Sequence, residues 1–418
     1  MVITNFDELY GIRIPDTWTV EKLEPKVGNV KSGKRLPKGY YVTDMHTNHP
    51  YIRVIDMREG YVDTSDLKYV PDEAFSSIQN YRIYKDDIYI SVAGTLGVVG
   101  QIPEHLDGAN LTENANRVTN IKCNIKFLMY WLMSSIIQNT ISQIQTLGAQ
   151  PKLALTRIRN FAVILPPVEE QKIIAEALSD IDALIMDLQK LINKKKDIRQ
   201  GMMQKLVTGK NRLEGFTGEW ISQPLEKLCE TITDGSHESP TECLDGFYMP
   251  SVKDMTENGF DFSNCKRISK ADYERLVANG CKPEIDDVLI AKDGSMLKYV
   301  FPVKGNYNIV ILSSIAILRP KKNLLSSLYL SYYFRQPRFV EQVIKGNQTG
   351  TGVPRIVLKN FKKIELRIPK DYKEQEAISN ILADVDTDIW TLEKKLKKVM
   401  AVKQGMMEEL LTGKVRLI

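Results

Sequence analysis

One 44-residue segment occurs twice in this chain, and that repetition limits what the chain can fold into. Residues 170–213 (EQKIIAEALSDIDALIMDLQKLINKKKDIRQGMMQKLVTGKNRL) realign without a gap on residues 374–417 (EQEAISNILADVDTDIWTLEKKLKKVMAVKQGMMEELLTGKVRL). About 20 of the 44 positions are identical, including Gln200–Met203 on Gln404–Met407 and Thr208–Lys210 on Thr412–Lys414. A period this long exceeds the roughly 20–50 residues of a solenoid unit. It marks duplication of a whole module, so an internal pseudo-twofold is expected, a symmetry suited to a target made of two half-sites. At 418 residues the chain is also too long for a single core. The expected division is globular over 1–166, helical over 167–213, globular again over 214–369 and helical over 370–418.

The repeated segments read as helices with an apolar seam. Ile174, Leu178, Ile181, Ile185, Leu188 and Ile192 follow alternating spacings of four and three, and Ile378, Leu382, Val385, Ile389, Leu392, Leu396 and Val399 do the same. That pattern supercoils helices left-handedly. Glu170-Gln171 and Glu374-Gln375 follow a proline, as a helix start should, and Gly209 and Gly413 supply the stops. About 38 residues at 1.5 Å each make a rod of roughly 57 Å. One long core helix per domain would also fit. Lys194–Lys196 and Lys397-Lys398 leave only a narrow apolar stripe, which favours a coiled coil with one helix from each repeat.

Fainter echoes connect the parts between the helices. Trp18 matches Trp220, and Gly33 and Gly235 each lie fifteen residues further on. Asp56-Met57 matches Asp254-Met255, and Asp86-Asp87 with Gly94 matches Asp286-Asp287 with Gly294. The runs 87–92 and 309–318 read as strands, and 127–144 and 328–344 as one helix in each module. The fold class is α+β: two globular domains of mixed sheet and helix, separated by two long antiparallel helices. Scaffolds that diverged while their helices stayed alike suggest heads that came to recognise different things.

Charge and motifs narrow the function. The net charge is +5, distributed as 0, +3, +3 and −1 over residues 1–169, 170–213, 214–373 and 374–418, so a polyanion site must come from local clustering. Five cysteines without a Cys-x-x-Cys pair suit a reducing cytoplasm. No membrane span or signal peptide is read from the chain. Gly28 to Lys34 nearly forms a phosphate loop, but Arg35 stands where Ser or Thr must hold magnesium. Pro15-Asp16 with Glu24-Pro25-Lys26, and the pair His46 and His49, lack the partners a nuclease or metal site needs. No metal, cofactor or catalytic residue is therefore assigned. For a nucleic-acid ligand, the groups able to meet phosphates and base edges would be Lys31, Lys34, Arg35, Lys38, Arg53, Arg58 and Gln150 in the first module. In the second they would be Ser236, His237, Lys253, Lys292, Lys298, Asn347, Gln348 and Thr349. Gly94 and Gly294 close loops where backbone could approach a duplex.

Leu165-Pro166-Pro167 with Glu170-Gln171, the repeated Gln-Gly-Met-Met, and residues 225–240 (LEKLCETITDGSHESP) resemble the specificity subunit of type I restriction-modification enzymes. Residues 27–37 keep the glycine and proline of that last motif but lack its Asp-Gly-Ser-His core. The resemblance covers essentially the whole chain. It implies two target-recognition domains, each reading half of a split, asymmetric double-stranded DNA site, with the helices as a ruler. It also implies that partners perform the chemistry: modification subunits, expected to be two, and restriction subunits. Gln200, Met202, Met203, Gln404, Met406 and Met407 are the expected partner contacts. No adenine-methyltransferase Asn/Asp-Pro-Pro-Tyr/Phe motif is present, which disfavours a fused enzyme. A coiled-coil scaffold with duplicated protein-binding heads is the other alternative.

Overall fold

The computed structural model describes residues 14–144, 151–347 and 355–417. Two long helices, Val168–Leu206 and Tyr372–Leu410, contain 39 residues each, close to the length read from the sequence. The chain divides into two compact units, and the division cuts both helices. The first comprises Met1–Gln189 with Lys395–Ile418, and the second Lys190–Lys394. Each unit therefore contains the start of one repeat's helix and the end of the other's.

In the first unit the strands are β1 (Thr19–Lys22), β2 (Asn29–Ser32), β3 (Pro50–Ile52), β4 (Lys68–Tyr69), β5 (Arg82–Ile83), β6 (Ile88–Ser91), β7 (Val99–Gly100), β8 (Ala109–Leu111), β9 (Ala115–Thr119) and β10 (Ala162–Leu165). They form an antiparallel sheet ordered β2-β9-β6-β7, a mixed sheet ordered β4-β3-β8-β5 and the pair β1-β10. Ile88–Ser91 is buried on both faces, which is why it reads as a continuous apolar run rather than an alternation.

The second unit repeats the plan with β11 (Trp220–Pro224), β12 (Cys229–Asp234), β13 (Phe247–Tyr248), β14 (Arg267–Ile268), β15 (Val288–Ala291), β16 (Val300–Pro302), β17 (Ile315–Pro320) and β18 (Glu365–Pro369). Its sheets are β12-β17-β15-β16, β13-β14 and β11-β18. The expected strand over 309–318 is corrected: regular pairing begins only at Ile315. A turn in which the Ile315 N–H donates to the Leu312 carbonyl separates it from Ile309, which bridges to Tyr248.

The expectation of one helix after the sheets is also corrected, because each module has two. In the first unit they are Ile125–Met133 and Ser135–Ile144. Ser134 between them adopts an extended backbone that an α-helix cannot continue through. In the second they are Ser327–Tyr333 and Pro337–Asn347, and Pro337 has no N–H to extend the preceding helix. Asn124 and Ser326 cap the first helix of each pair, accepting from the N–H of Phe127 and Tyr329.

Every seam position is buried or half-buried, and the helices run antiparallel within each unit. In the first, Asp182 pairs with Lys403 at 2.7 Å and Glu170 with Arg416 at 2.8 Å. In the second, Arg199 pairs with Asp386 at 2.7 Å, and Lys195 with Asp388. Gly209 and Gly413 end the helices at φ +71° each. The N–H of Asn211 reaches back to the Lys205 carbonyl and that of Val415 to the Glu409 carbonyl, a glycine-dependent C-terminal cap.

The cysteines are all free. Burial pushes the Cys123, Cys229 and Cys265 thiols up to about 12 and raises that of Cys281. The thiolate is the nucleophile. Iodoacetamide at pH 8 should therefore label Cys243 in the native protein well before the other four, as peptide mass spectrometry would read. Equal labelling of all five would contradict this packing.

Candidate nucleic-acid interface

Most of the repeated residues build the scaffold. Glu170 is fully buried, accepts bidentate bonds from Arg416 (2.8 Å each) and a third from the Trp18 indole N–H (3.0 Å). Glu374, also fully buried, is held by Arg212 in the same bidentate way at 3.0 and 2.6 Å. The Arg of each Thr-Gly-Lys-x-Arg-Leu tail thus clasps the Glu that opens the other repeat's helix. The adjacent glutamines secure the globular part. Gln171 accepts from the Asn124 N–H and donates to the Pro166 carbonyl, and Gln375 does the same with Ser326 and Pro369.

The fainter echoes have the same character. A Cβ on Gly33 would lie 2.0 Å from the Thr112 carbonyl oxygen, and one on Gly235 the same distance from that of Ile311. Both are glycine because two backbones cross there. Asp87 and Asp287 each accept from a backbone N–H that closes the turn before β6 or β15. Asp287 also takes Arg319 bidentately at 2.8 and 2.9 Å, while Arg117 stands 3.9 Å from Asp87. Burial raises the Asp87 pKa and lowers that of Arg117. The carboxylates of Asp56 and Asp254 accept the backbone N–H of Arg53 and Ser251, capping equivalent short turns.

Against this frame, the residues read as DNA contacts separate into two groups. Arg53 donates bidentately to Asp56 and also to Asp66; the hydrogen bonds it donates to Asp56 are the main reason its pKa is raised. Arg58 donates to Asp63 and to the carbonyls of Ile55 and Met57. Lys292 is buried between Asp234 at 3.3 Å and Asp293 at 3.4 Å, and Ser236 is buried with its hydroxyl donating to the Glu238 carbonyl at 2.8 Å. These four are occupied within the fold. Lys31, Lys34, Arg35 and Lys38 lie exposed on β2 and the loop after it, with Arg35 paired to Glu113 at 3.0 Å. His237, Lys253 and Lys298 are exposed in the second unit. Gly94 and Gly294 have φ of +78° and +67°, so both loops need glycine. Gln150, Gln348, Thr349 and the Asn347 side chain lie outside the described residues. Among the residues expected to contact partners, Met203 is packed in the core of the second unit, while Gln200 and Gln404 are exposed.

Sequence reading missed a hub in each unit. In the second, Asp386 accepts from Tyr332 and Arg199 at 2.7 Å each. Arg335 lies 3.6 Å from Asp386 and donates to the carbonyls of Val300 and Glu257, tying the globular part to the helices. In the first, Tyr130, Asp182 and Lys403 stand at the equivalent places, but the position of Arg335 is held by Met133. A cavity of about 710 Å³ opens there, lined by Met129, Tyr130, Met133, Asp182 and Lys403 among others; its counterpart in the second unit is about 280 Å³.

These features define a class: a protein of two units that share one internal frame and differ in their surface loops. Residues 15–198 and 237–401 match the model of the type I restriction modification DNA specificity domain, so the chain belongs to that family. It is similar to the MjaVIII specificity subunit of Methanocaldococcus jannaschii, with 25% identity over 99% of this chain and 96% of the relative. In fold it is similar to the S subunit of a type I restriction-modification system from M. genitalium, with a TM-score of 0.59, 16% identity and 95% and 96% coverage of the two chains. A chain from a structure of type I assembly and conformational transition gives 0.55, with 16% identity and 96% and 100% coverage. Specificity subunits of type I systems recognise DNA, are not themselves catalytic and act with the other subunits of the system. The protein-only scaffold alternative finds no support.

Proposed function

We propose that each unit reads one half of a split double-stranded DNA site and that the chain presents that DNA to two modification subunits and to restriction subunits. The observation that carries this reading is the contrast between a duplicated interior and diverged surfaces. The buried frame repeats its key residues, among them Gly33 and Gly235, Asp87 and Asp287, Glu170 and Glu374, and Gln171 and Gln375, whereas the loop after the frame's first glycine carries Lys34, Arg35 and Lys38 in one unit and Ser236, His237 and Glu238 in the other. The readout belongs to exposed side chains on and near those loops, the basic set from Lys31 to Lys38 and His237, with Lys253 and Lys298 on other surface turns of the second unit. For partner subunits, the long helices expose Met186, Leu191, Ile198, Trp390, Met400 and Val402, apolar groups a packed partner could cover. Gln200 and Gln404 lie among them. No cofactor is assigned to this chain.

The test is a module exchange read by methylome sequencing. Residues 1–165 replaced by those of a relative, and expressed with the modification subunits, should change one half of the methylated sequence and leave the other intact. A change in both halves together would refute independent reading. The isolated chain should transfer no methyl groups to DNA.

A further inference from the structure

We infer that the first unit carries an aromatic probe for its half-site, Tyr41 at the tip of the loop after β2, which stacks into the DNA duplex while Lys38 beside it takes a phosphate. The inference rests on the DNA-reading assigned above. Tyr41 is 82% exposed and Tyr40 is 43% exposed. A slack loop would explain that exposure trivially, but this loop is anchored on both sides of the tip. Lys34 donates its N–H to Leu111, and Thr43 exchanges two backbone hydrogen bonds with Tyr69. Leu36 and Val42 are packed on the small core of Tyr51, Val70, Ala74 and Ile78. Between them Pro37 to Tyr40 forms a tight turn, closed by the Tyr40 N–H on the Pro37 carbonyl at 3.1 Å, with Gly39 at φ +94° supplying the left-handed position. Two tyrosines are thus held out in water on a backbone fixed by the half-buried Leu36 and Val42, so the entropy of ordering that backbone is spent on folding rather than on binding.

The charges around the tip select the occupant. From residue 31 to 49 the chain carries Lys31, Lys34, Arg35 and Lys38 against Asp44 alone. From neighbouring elements, Glu113 pairs with Arg35, and Lys68 with Asp44 and Asp66. An exposed ring in a cationic setting suits nucleic acid, where phosphates meet the lysines and apolar groups can enter between base steps. The second unit's equivalent loop provides an internal control. It also presents an apolar tip, Leu244, 95% exposed, yet residues 236–246 carry Glu238, Glu242 and Asp245 and no Lys or Arg. Arg275 and Arg267 lie against Glu238 and Asp245, which reduces that negative charge without reversing it. Leu244 is therefore not expected to enter a duplex.

The experiment uses the full chain assembled with its modification subunits, and duplexes of the methylome-defined target with 2-aminopurine at successive positions of the first half-site. Its fluorescence rises when a base is unstacked. The intact protein should raise the signal at one step besides the methylated base, which the modification subunit flips out by itself. Tyr41→Ala should abolish that rise and weaken binding about tenfold, the scale of one aromatic–base stack. Tyr41→Phe should retain both within twofold. Leu244→Ala should bind as the unmodified chain does. Tyr41→Ala binding the target normally, with the fluorescence rise intact, would overturn the probe while leaving DNA-reading in place. An equal loss from Leu244→Ala would overturn the argument from charge. An assembly with no sequence preference at all would instead refute the reading on which the probe rests.

Discussion

Arg212→Ala should destabilise the second unit by about 3–5 kcal/mol, and Glu374→Gln by only about 1 kcal/mol. The asymmetry follows from where the two ends of the clasp lie. The Glu374 side chain is fully buried, and that of Arg212 is 29% exposed. Removing the arginine leaves a carboxylate in the interior without its cation, which typically costs that much. The glutamine variant keeps the shape and one hydrogen bond, and the freed guanidinium can turn to water. Hydrogen exchange followed by peptide mass spectrometry would locate the effect. Protection should fall across residues 190–394 and hold across 14–144. Arg416→Ala should do the reverse, loosening the first unit through a residue 246 positions from its partner. Equal losses from Arg212→Ala and Glu374→Gln, or a loss spread evenly along the chain, would rule out the clasp as described.

Inserting one heptad into each long helix, between Gln189 and Lys190 and between Lys394 and Lys395, should lengthen the spacer between half-sites and leave the bases read unchanged. These points fall where the two units divide, so the ion pairs inside each unit survive. Lys194 to Lys196 would be a poorer place, since Lys195 and Lys196 pair with Asp388 and Glu393. Seven residues preserve the seam's repeat and add about 10.5 Å of helix. At 3.4 Å per base pair that is three base pairs at most, while three base pairs rotate the duplex by about 105° at 10–10.5 per turn. Affinity should therefore drop, by tenfold or more, even on the preferred longer spacer. A library of targets with varied spacers, methylated by the variant with its partner subunits, gives the result. Unchanged spacer preference with full activity would show that the helices do not set the distance.

The seam from Ile174 to Val399 was legible because helical periodicity and duplication are both properties of order along the chain. The doubled Gly33 and Gly235 signalled a constraint but not its nature, a backbone crossing at which a Cβ would meet a carbonyl oxygen 2.0 Å away. The break at Ser134 was hidden because the apolar pattern continues through it. Arg53, Arg58 and Lys292 have the chemistry of DNA contacts, and although Asp56 and Asp63 stand only a few residues from the two arginines, nothing in their spacing indicates that these carboxylates and Asp234 turn inward to hold the cations. Tyr41 carries no signal of its exposure in the sequence, because an exposed aromatic and a core aromatic read the same in one dimension.

By itself the sequence determined the duplication, the two helices with their seam and stops, and the resemblance that the family match bears out. These are local or periodic signals, written within a few residues or repeated at a regular spacing. Only the tertiary structure decided that each unit is closed by the tail of the other repeat, and which cations are occupied within the fold and which are exposed. The closures depend on contacts between residues 162 and 246 positions apart, Arg212 with Glu374 and Arg416 with Glu170, and the occupied cations on which nearby carboxylates the fold turns toward them, such as Asp56 for Arg53. The free energy of burying a charge is set by whatever arrives beside it, and no spacing along the chain encodes that.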